Sequence, residues 1–224
     1  MKSFIKNNRG FIIFLLCFGF FRTAIADWNP IPSGSMRPNL LEGDVVLVNR
    51  LAFDFKLPLT DIVVARIADP KRGDIVTFSS PKDGTRLIKR IVALPGDRVE
   101  MRNEVLYVNG QAAEYSEQEM LLEPLENGNN IEALRLTETI GQNKRRVQWL
   151  AGMPARNTFG PTEVPAGNFL MLGDNRDNSA DSRYFGFVPR HLLIGQAQRI
   201  LVSADIKGNW FPRMERFGQR LVSN

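Results

Sequence analysis

The chain has 224 residues, 43% hydrophobic and 24% charged, a composition that excludes a disordered or low-complexity protein and fits one globular unit with an attached segment. Of the net charge of +5, residues 1–27 carry +3, and the +2 left for the remainder is too weak a balance to argue for a nucleic-acid partner. The single cysteine, Cys17, excludes a disulfide within the chain, so a folded domain has to rest on its core alone.

Residues 1–27 stand apart. Lys2, Lys6 and Arg9 precede an unbroken apolar run over residues 10–21, followed by Arg22, Thr23 and Ala24-Ile25-Ala26-Asp27. Two readings compete. One is a cleavable secretory signal with an Ala-x-Ala site before Asp27. The other is a single membrane anchor over residues 10–28, about 28 Å as a helix, with Arg22 snorkelling and Trp28 at the interface. The residues alone favour the signal, because Arg22 is costly in an anchor. Either way the positive start stays inside and the remainder is exported.

Residues 29–50 place a small hydroxyl between structural punctuators. Ser35 lies in a turn fixed by Pro32, Gly34 and Pro38, just ahead of an apolar run over residues 45–48 that reads as a buried strand. A serine is a weak nucleophile until a neighbouring base takes its proton. The only histidine, His191, follows Val188-Pro189-Arg190 in what reads as a surface turn, which offers no Ser-His-Asp set. A lysine has to be considered instead. In residues 86–92 the period of two places Lys89 on one face with Leu87 and Ile91, and Arg90 on the other face with Arg86. An ammonium pressed against apolar side chains loses hydration, its pKa falls, and the neutral amine becomes available as a base. The bland alternative is a snorkelling lysine.

Strand signals run through residues 44–49, 74–78, 86–93 and 98–108, with turns at Arg102-Asn103-Glu104 and Asn109-Gly110. Residues 51–71 contain two prolines and read as a loop against the site. Residues 111–162 shift to polar and charged composition, interrupted at Asn127-Gly128-Asn129-Asn130, and suggest no chemistry. Strands resume at 168–172 and 194–203. Between them, residues 173–187 form a long polar turn; as a calcium loop counted from Asp174 it fails, with Arg176, Ser179 and Phe185 where an acid, a glycine and a glutamate are required. It reads instead as the source of a hydroxyl and an Asp181/Arg183 ion pair. Beyond residue 199 the chain is basic, with Trp210 and Phe211 among the charges, a pattern suited either to an anionic membrane surface or to an ordinary solvated tail. The fold expectation is mainly β.

Taken together, Pro32-Ser33-Gly34-Ser35-Met36-Arg37-Pro38, Arg72-Gly73-Asp74-Ile75-Val76, Ile88-Lys89-Arg90 with Leu94-Pro95-Gly96-Asp97, and Gly173-Asp174-Asn175-Arg176-Asp177-Asn178-Ser179-Ala180-Asp181-Ser182-Arg183 resemble, in order and spacing, the boxes of bacterial type I signal peptidases. The resemblance covers most of residues 11–205, weakly in the middle. It implies a distorted antiparallel β-barrel core (28–110 and 163–224), an inserted β-rich cap (111–162) and one N-terminal transmembrane helix within 1–27, reversing the preference for a cleaved signal. It further implies Ser35 as the acyl-forming nucleophile and Lys89 as its base. Ser179 would orient the amine, and the Ser33 hydroxyl with the Ser35 N–H would form the oxyanion hole. Asp181 and Arg183 would brace the Ser179 loop, and Ile31, Pro32, Met36, Leu40 and Ile88 would line pockets for small side chains.

The implied activity is removal of signal peptides from exported preproteins after small-x-small sites, without metal or cofactor. A monomer in contact with membrane lipid, on the periplasmic side of the bacterial inner membrane, is the corresponding expectation. Rival readings are a relative specialised for one substrate such as a pilin, an exported β-domain binding protein, and a self-cleaving repressor, which residues 1–27 contradict. Ala24-Ile25-Ala26 raises one more possibility, cleavage of the enzyme's own anchor.

Overall fold

The structure, a computed structural model, describes residues 8–57, 60, 62–125 and 129–221; the basic Lys2 and Lys6 and the Asn127-Gly128 break lie outside them. Helix α1 (Arg9–Ala24) leads into β1 (Ala26–Pro30), and a single 3-10 turn over Gly34–Met36 precedes β2 (Asp44–Asn49). Then follow β3 (Asp54–Lys56), β4 (Val63–Arg66), β5 (Ile75–Ser79), β6 (Arg86–Ala93), β7 (Arg98–Arg102), β8 (Val105–Val108) and β9 (Gln111–Ala112). Next come β10 (Glu114–Pro124), β11 (Asn130–Ile140), β12 (Asn143–Leu150), β13 (Phe159–Glu163), β14 (Asn168–Leu172), the one-turn α2 (Ser182–Phe185), β15 (Val188–Pro189) and β16 (Leu193–Ser203). The protein is mainly β, as its strand patterns predict.

The central sheet has seven antiparallel neighbours in the order β1-β2-β16-β5-β6-β14-β15. Its residues are buried on both faces. On β5, Ile75 packs with Ile31, Met36, Leu40, Val46, Val48, Ala197 and Ile200, while the next residue, Val76, packs on the other side with Phe53, Phe78, Ile91, Phe169, Met171, Val188 and Leu193. That two-sided burial is why four successive residues, 75–78, are all buried instead of alternating. Four strands in the order β13-β7-β8-β9 form a second sheet, and β10-β11-β12 form a three-stranded meander.

Three expectations change. The central sheet is open, with β1 and β15 at its edges, and no closed barrel forms among the described residues, because β1 pairs with β2 and does not continue onto β15. The helix is shorter than the apolar segment suggested: α1 has 16 residues, about 24 Å, and no helix among the described residues is long and apolar enough to cross a membrane. It stops at Ala24 because Ala26 and Asp27 are already paired with Asn49 and Val48 in the sheet. Residues 51–71 are not a plain loop: β3 and β4 pair, and the buried Lys56 Nζ donates to the carbonyls of His191 and Leu193 at 2.8 and 2.7 Å, tying this hairpin to the core. Within 111–162, β9 and β13 pair with β8 and β7, and β10–β12 form a separate meander.

Candidate active site

Three chain segments meet where the site residues fall. β1 leads through Pro32 into the 3-10 turn that holds Ser35, β6 carries Lys89, and β14 ends in the polar turn over residues 173–183. Ser35 follows Ser33, whose extended backbone (φ −136, ψ 156) starts the turn, and Arg37 N–H closes it by donating to Gly34 O at 3.0 Å. The turn is held from the other side by Asn175, whose N–H donates to Ser35 O at 3.1 Å and whose Nδ2 donates to Gly34 O at 3.0 Å.

Lys89 is 3% exposed, and its Nζ donates to Ser35 Oγ at 2.7 Å and to Ile88 O at 3.0 Å. No carboxylate stands within ion-pair distance of it among the described residues. Burial therefore dominates and lowers the lysine pKa to about 8, against the opposing pull of Asp181 and Asp174. Ser33, exposed, brings its Oγ to 3.5 Å from Ser35 Oγ. Ser179 is buried, and its Oγ makes no hydrogen bond among the described residues; it lies against Gly173 and near the Ser35 carbonyl, but it is not bonded to Lys89. A Cβ on Gly173 would collide with Ser179 and with the Ser35 carbonyl, so only glycine permits the two loops to approach this closely.

Asp181 and Arg183 form a fully buried ion pair at 2.8 Å. Asp181 also accepts from the Gly173 N–H at 3.0 Å, and Arg183 donates to Arg176 O, so the pair closes the loop that carries Ser179. Of the expected pocket residues, Ile31, Met36 and Leu40 are buried together in one cluster with Ile88 packed against it. Met36 and Leu40 expose nothing, so they underlie the surface rather than line it, while Pro32 and Ile88 retain exposed area. His191 is exposed and lines a cleft of about 750 Å³ with Asp54, Arg66, Asp69, Pro95 and Arg190. None of Ser33, Ser35, Lys89 or Ser179 lines that cleft.

Sequence reasoning missed the polar residues that hold these parts together. Arg90, placed by the sequence only on the face opposite Lys89, is buried: its Nε and Nη2 bond Asp174 at 2.8 and 2.7 Å, and its Nη1 donates to Gly73 O at 2.7 Å. Asp174 also accepts from Asn39 Nδ2 at 2.7 Å. In the meander, the buried Glu138 pairs with Arg145 and, at 2.7 Å, with Arg176 of the polar turn. Burial would raise the Glu138 carboxyl, but the two guanidinium groups outweigh it and hold the pKa at about 2. A signal existed: the period of two places Glu138 on one face with Leu136 and Ile140, and Arg145 with Val147 and Trp149, charges within apolar stripes.

The comparisons agree with one another. The family described as "Signal peptidase, peptidase S26" matches residues 4–202. The chain is 34% identical to the signal peptidase I of Buchnera aphidicola (93% of this chain, 77% of that protein). It is also 34% identical to that of Pseudomonas aeruginosa (96% and 78%). A solved signal peptidase I from Enterococcus faecalis is 32% identical, covering 58% of this chain and 97% of that one, with a TM-score of 0.35. Carrying that family's match over residues 4–202, the chain belongs to the signal peptidase family, peptidase S26, and is a peptidase.

Proposed function

We propose that this protein removes N-terminal signal peptides from exported preproteins after small-x-small sites, with Ser35 as nucleophile and Lys89 as general base. The observation that carries the reading is the 2.7 Å contact from a buried, carboxylate-free Lys89 Nζ to Ser35 Oγ. Neutral Lys89 takes the Ser35 proton as Oγ attacks the scissile carbonyl. The oxyanion is met by the Ser35 N–H and the Ser33 hydroxyl, donors typically worth about 3 kcal/mol each. The Lys89 ammonium then returns its proton to the leaving amine, which departs as the new N-terminus of the mature protein. Lys89 next deprotonates a water that opens the Ser35 ester, releasing the signal peptide as a carboxylate. Ser179, buried and without a hydrogen bond among the described residues, is the group available to bond the amine once Ser35 is acylated and the Ser35 Oγ no longer holds it.

Two strand edges support an extended substrate. β1 is one edge of the central sheet, and among the described residues the Arg86–Lys89 half of β6 pairs only with β5, because β14 joins β6 from Arg90 onward. Arg86 reaches Asp27 and Asn29 of β1 at 3.1 Å each, so the edges face one another. A peptide strand between them presents alternate side chains to Pro32 and Ile88, which rest on the unyielding packing of Ile31, Met36 and Leu40. Its backbone supplies affinity and the shallow walls exclude large residues.

Attachment to the inner membrane, with the catalytic domain on the periplasmic side, is part of the same proposal. α1 exposes Phe11, Phe14, Leu16 and Phe21, and Trp210 and Phe211 are 70% and 69% exposed. The basic tail contributes less than its composition suggested, because Arg216 is paired with Asp44 and Arg213 with Asp205. Self-cleavage at Ala26 is disfavoured within one molecule: Ala26 and Asp27 are paired in β1, and Asp27 is tied to Arg22 and Arg86.

The test is incubation of the full-length protein in micelles with a preprotein bearing an Ala-x-Ala site, followed by N-terminal sequencing of the product. A single new N-terminus after the second alanine is expected. Cleavage elsewhere, or none with a range of such substrates while a pilin precursor is cut, would replace general processing by a narrow specificity.

A further inference from the structure

The meander touches the nucleophile turn directly. Arg37, two residues beyond Ser35, directs its Nε to Glu42 Oε2 at 2.8 Å and its Nη1 to Glu123 of β10. The second oxygen of Glu123 accepts from Arg135 of β11, whose Nε donates to Gln148 Oε1 of β12 at 3.2 Å. Signs alternate along Glu42, Arg37, Glu123 and Arg135. Every member but Arg135 is nearly buried, Glu123 at 5% side-chain exposure. The row ends on the strand that also holds the other loop of the site: Gln148 N–H donates to Asp174 O at 3.0 Å, and Arg176 N–H donates to Gln148 O at 2.9 Å. One network therefore spans both catalytic loops.

Its near end bears on the residue between the two oxyanion donors. A Cβ on Gly34 would stand 3.1 Å from Glu42 Oε1 and 3.3 Å from both Cδ and Nε of Arg37, so the Arg37–Glu42 pair packs against the Gly34 backbone. Gly34 links Ser33 to Ser35. If Arg37 loses Glu123, the one carboxylate left to it among the described residues is Glu42, five residues on and just ahead of β2, and the guanidinium is pulled along the Gly34 surface away from the meander.

We propose that Glu123, acting through Arg37, is a positioning residue that holds the Ser33–Gly34–Ser35 backbone in reacting register, so that the inserted meander sets the reactivity of the nucleophile. The proposal rests on Ser35 being the nucleophile. Glu123 does not touch the substrate; it fixes where Gly34 sits, and Gly34 fixes the oxyanion donors. A displacement of less than 1 Å at such a point costs about tenfold to a hundredfold in rate.

The experiment uses the full-length protein in micelles and two readouts. One is kcat and KM for an Ala-x-Ala preprotein. The other is the rate at which a strained β-lactam acylates Ser35, read by intact mass and expressed per folded molecule. Glu123→Gln, which keeps the shape and removes the charge, is expected to lower kcat and the acylation rate together by about tenfold or more, with KM within about twofold. Glu123→Asp, which keeps the charge, should recover part of both. An acylation rate in Glu123→Gln equal to wild type per folded molecule overturns the proposal. If Glu123→Gln does not fold, Glu123→Asp and Arg37→Lys decide it in the same way, and wild-type rates in both overturn it. Should the wild type be acylated yet cleave no preprotein, the substrate reading fails while the acylation rates still decide this inference. A wild-type Ser35 that is never acylated removes both.

Discussion

Two buried charged centres lie on either side of the polar turn over residues 173–183, and they meet opposite fates. Glu138 is held by Arg145 and Arg176, and its carboxyl stays ionised with a pKa near 2. Lys89 has no carboxylate at contact distance among the described residues; burial lowers its pKa to about 8, and its amine faces a serine. The same cost of removing a charge from water is met by partners in the first case and left standing in the second. The compensated charge braces the turn, and in the proposed mechanism the uncompensated one supplies the base.

Substitutions break this contrast in order of expected size. Ser35→Ala and Lys89→Ala should each reduce preprotein cleavage by about a thousandfold or more, because groups acting as one unit fail together; initial rates on the same preprotein test it. Glu138→Gln leaves two guanidinium groups facing a neutral amide and should cost roughly 3–5 kcal/mol of stability, measured by denaturant unfolding in micelles. Lys89→Met should have the opposite sign. The native lysine pKa lies below its unfolded value of about 10.4, so the unfolded chain binds the proton first as pH falls. The resulting destabilisation grows between about pH 10 and pH 8 and is complete below that. At pH 7 Lys89→Met should therefore be more stable than wild type by up to about 3 kcal/mol, and at pH 11 the gain should vanish. Equal unfolding midpoints at both pH values would show that the buried amine carries no cost.

The chain disclosed these two centres unequally. Ser35, Lys89 and the polar turn were legible because each sits at a change of pattern: a serine among turn formers, a lysine in an apolar stripe, a polar run straight after a buried strand. The strands of the central sheet were legible for the same reason, and β2 and β6 fall at 44–49 and 86–93 as their Val and Ile content predicts. The bracing was not. Glu123, Arg135 and Gln148 are polar residues in a polar segment, and only the pairing of β10 with β11 and β11 with β12 brings them into one row. The role of Arg90 was hidden because alternation assigns a side chain to a face without saying what covers that face; here Asp174 arrives from the turn after β14, 84 residues away. The helix is shorter than the anchor reading over residues 10–28 because pairing of Ala26 with Asn49 ends it, a pairing no local pattern announces.

The pH dependence of kcat/KM for an Ala-x-Ala preprotein tests the use of Lys89 most directly. Since the base must be neutral, the rate should fall about tenfold per pH unit below a limb near pH 8 and level off above it. A rate that does not change between pH 6 and pH 9, or a limb that persists unaltered in the residual activity of Lys89→Ala, would contradict a neutral Lys89 as the base that activates Ser35.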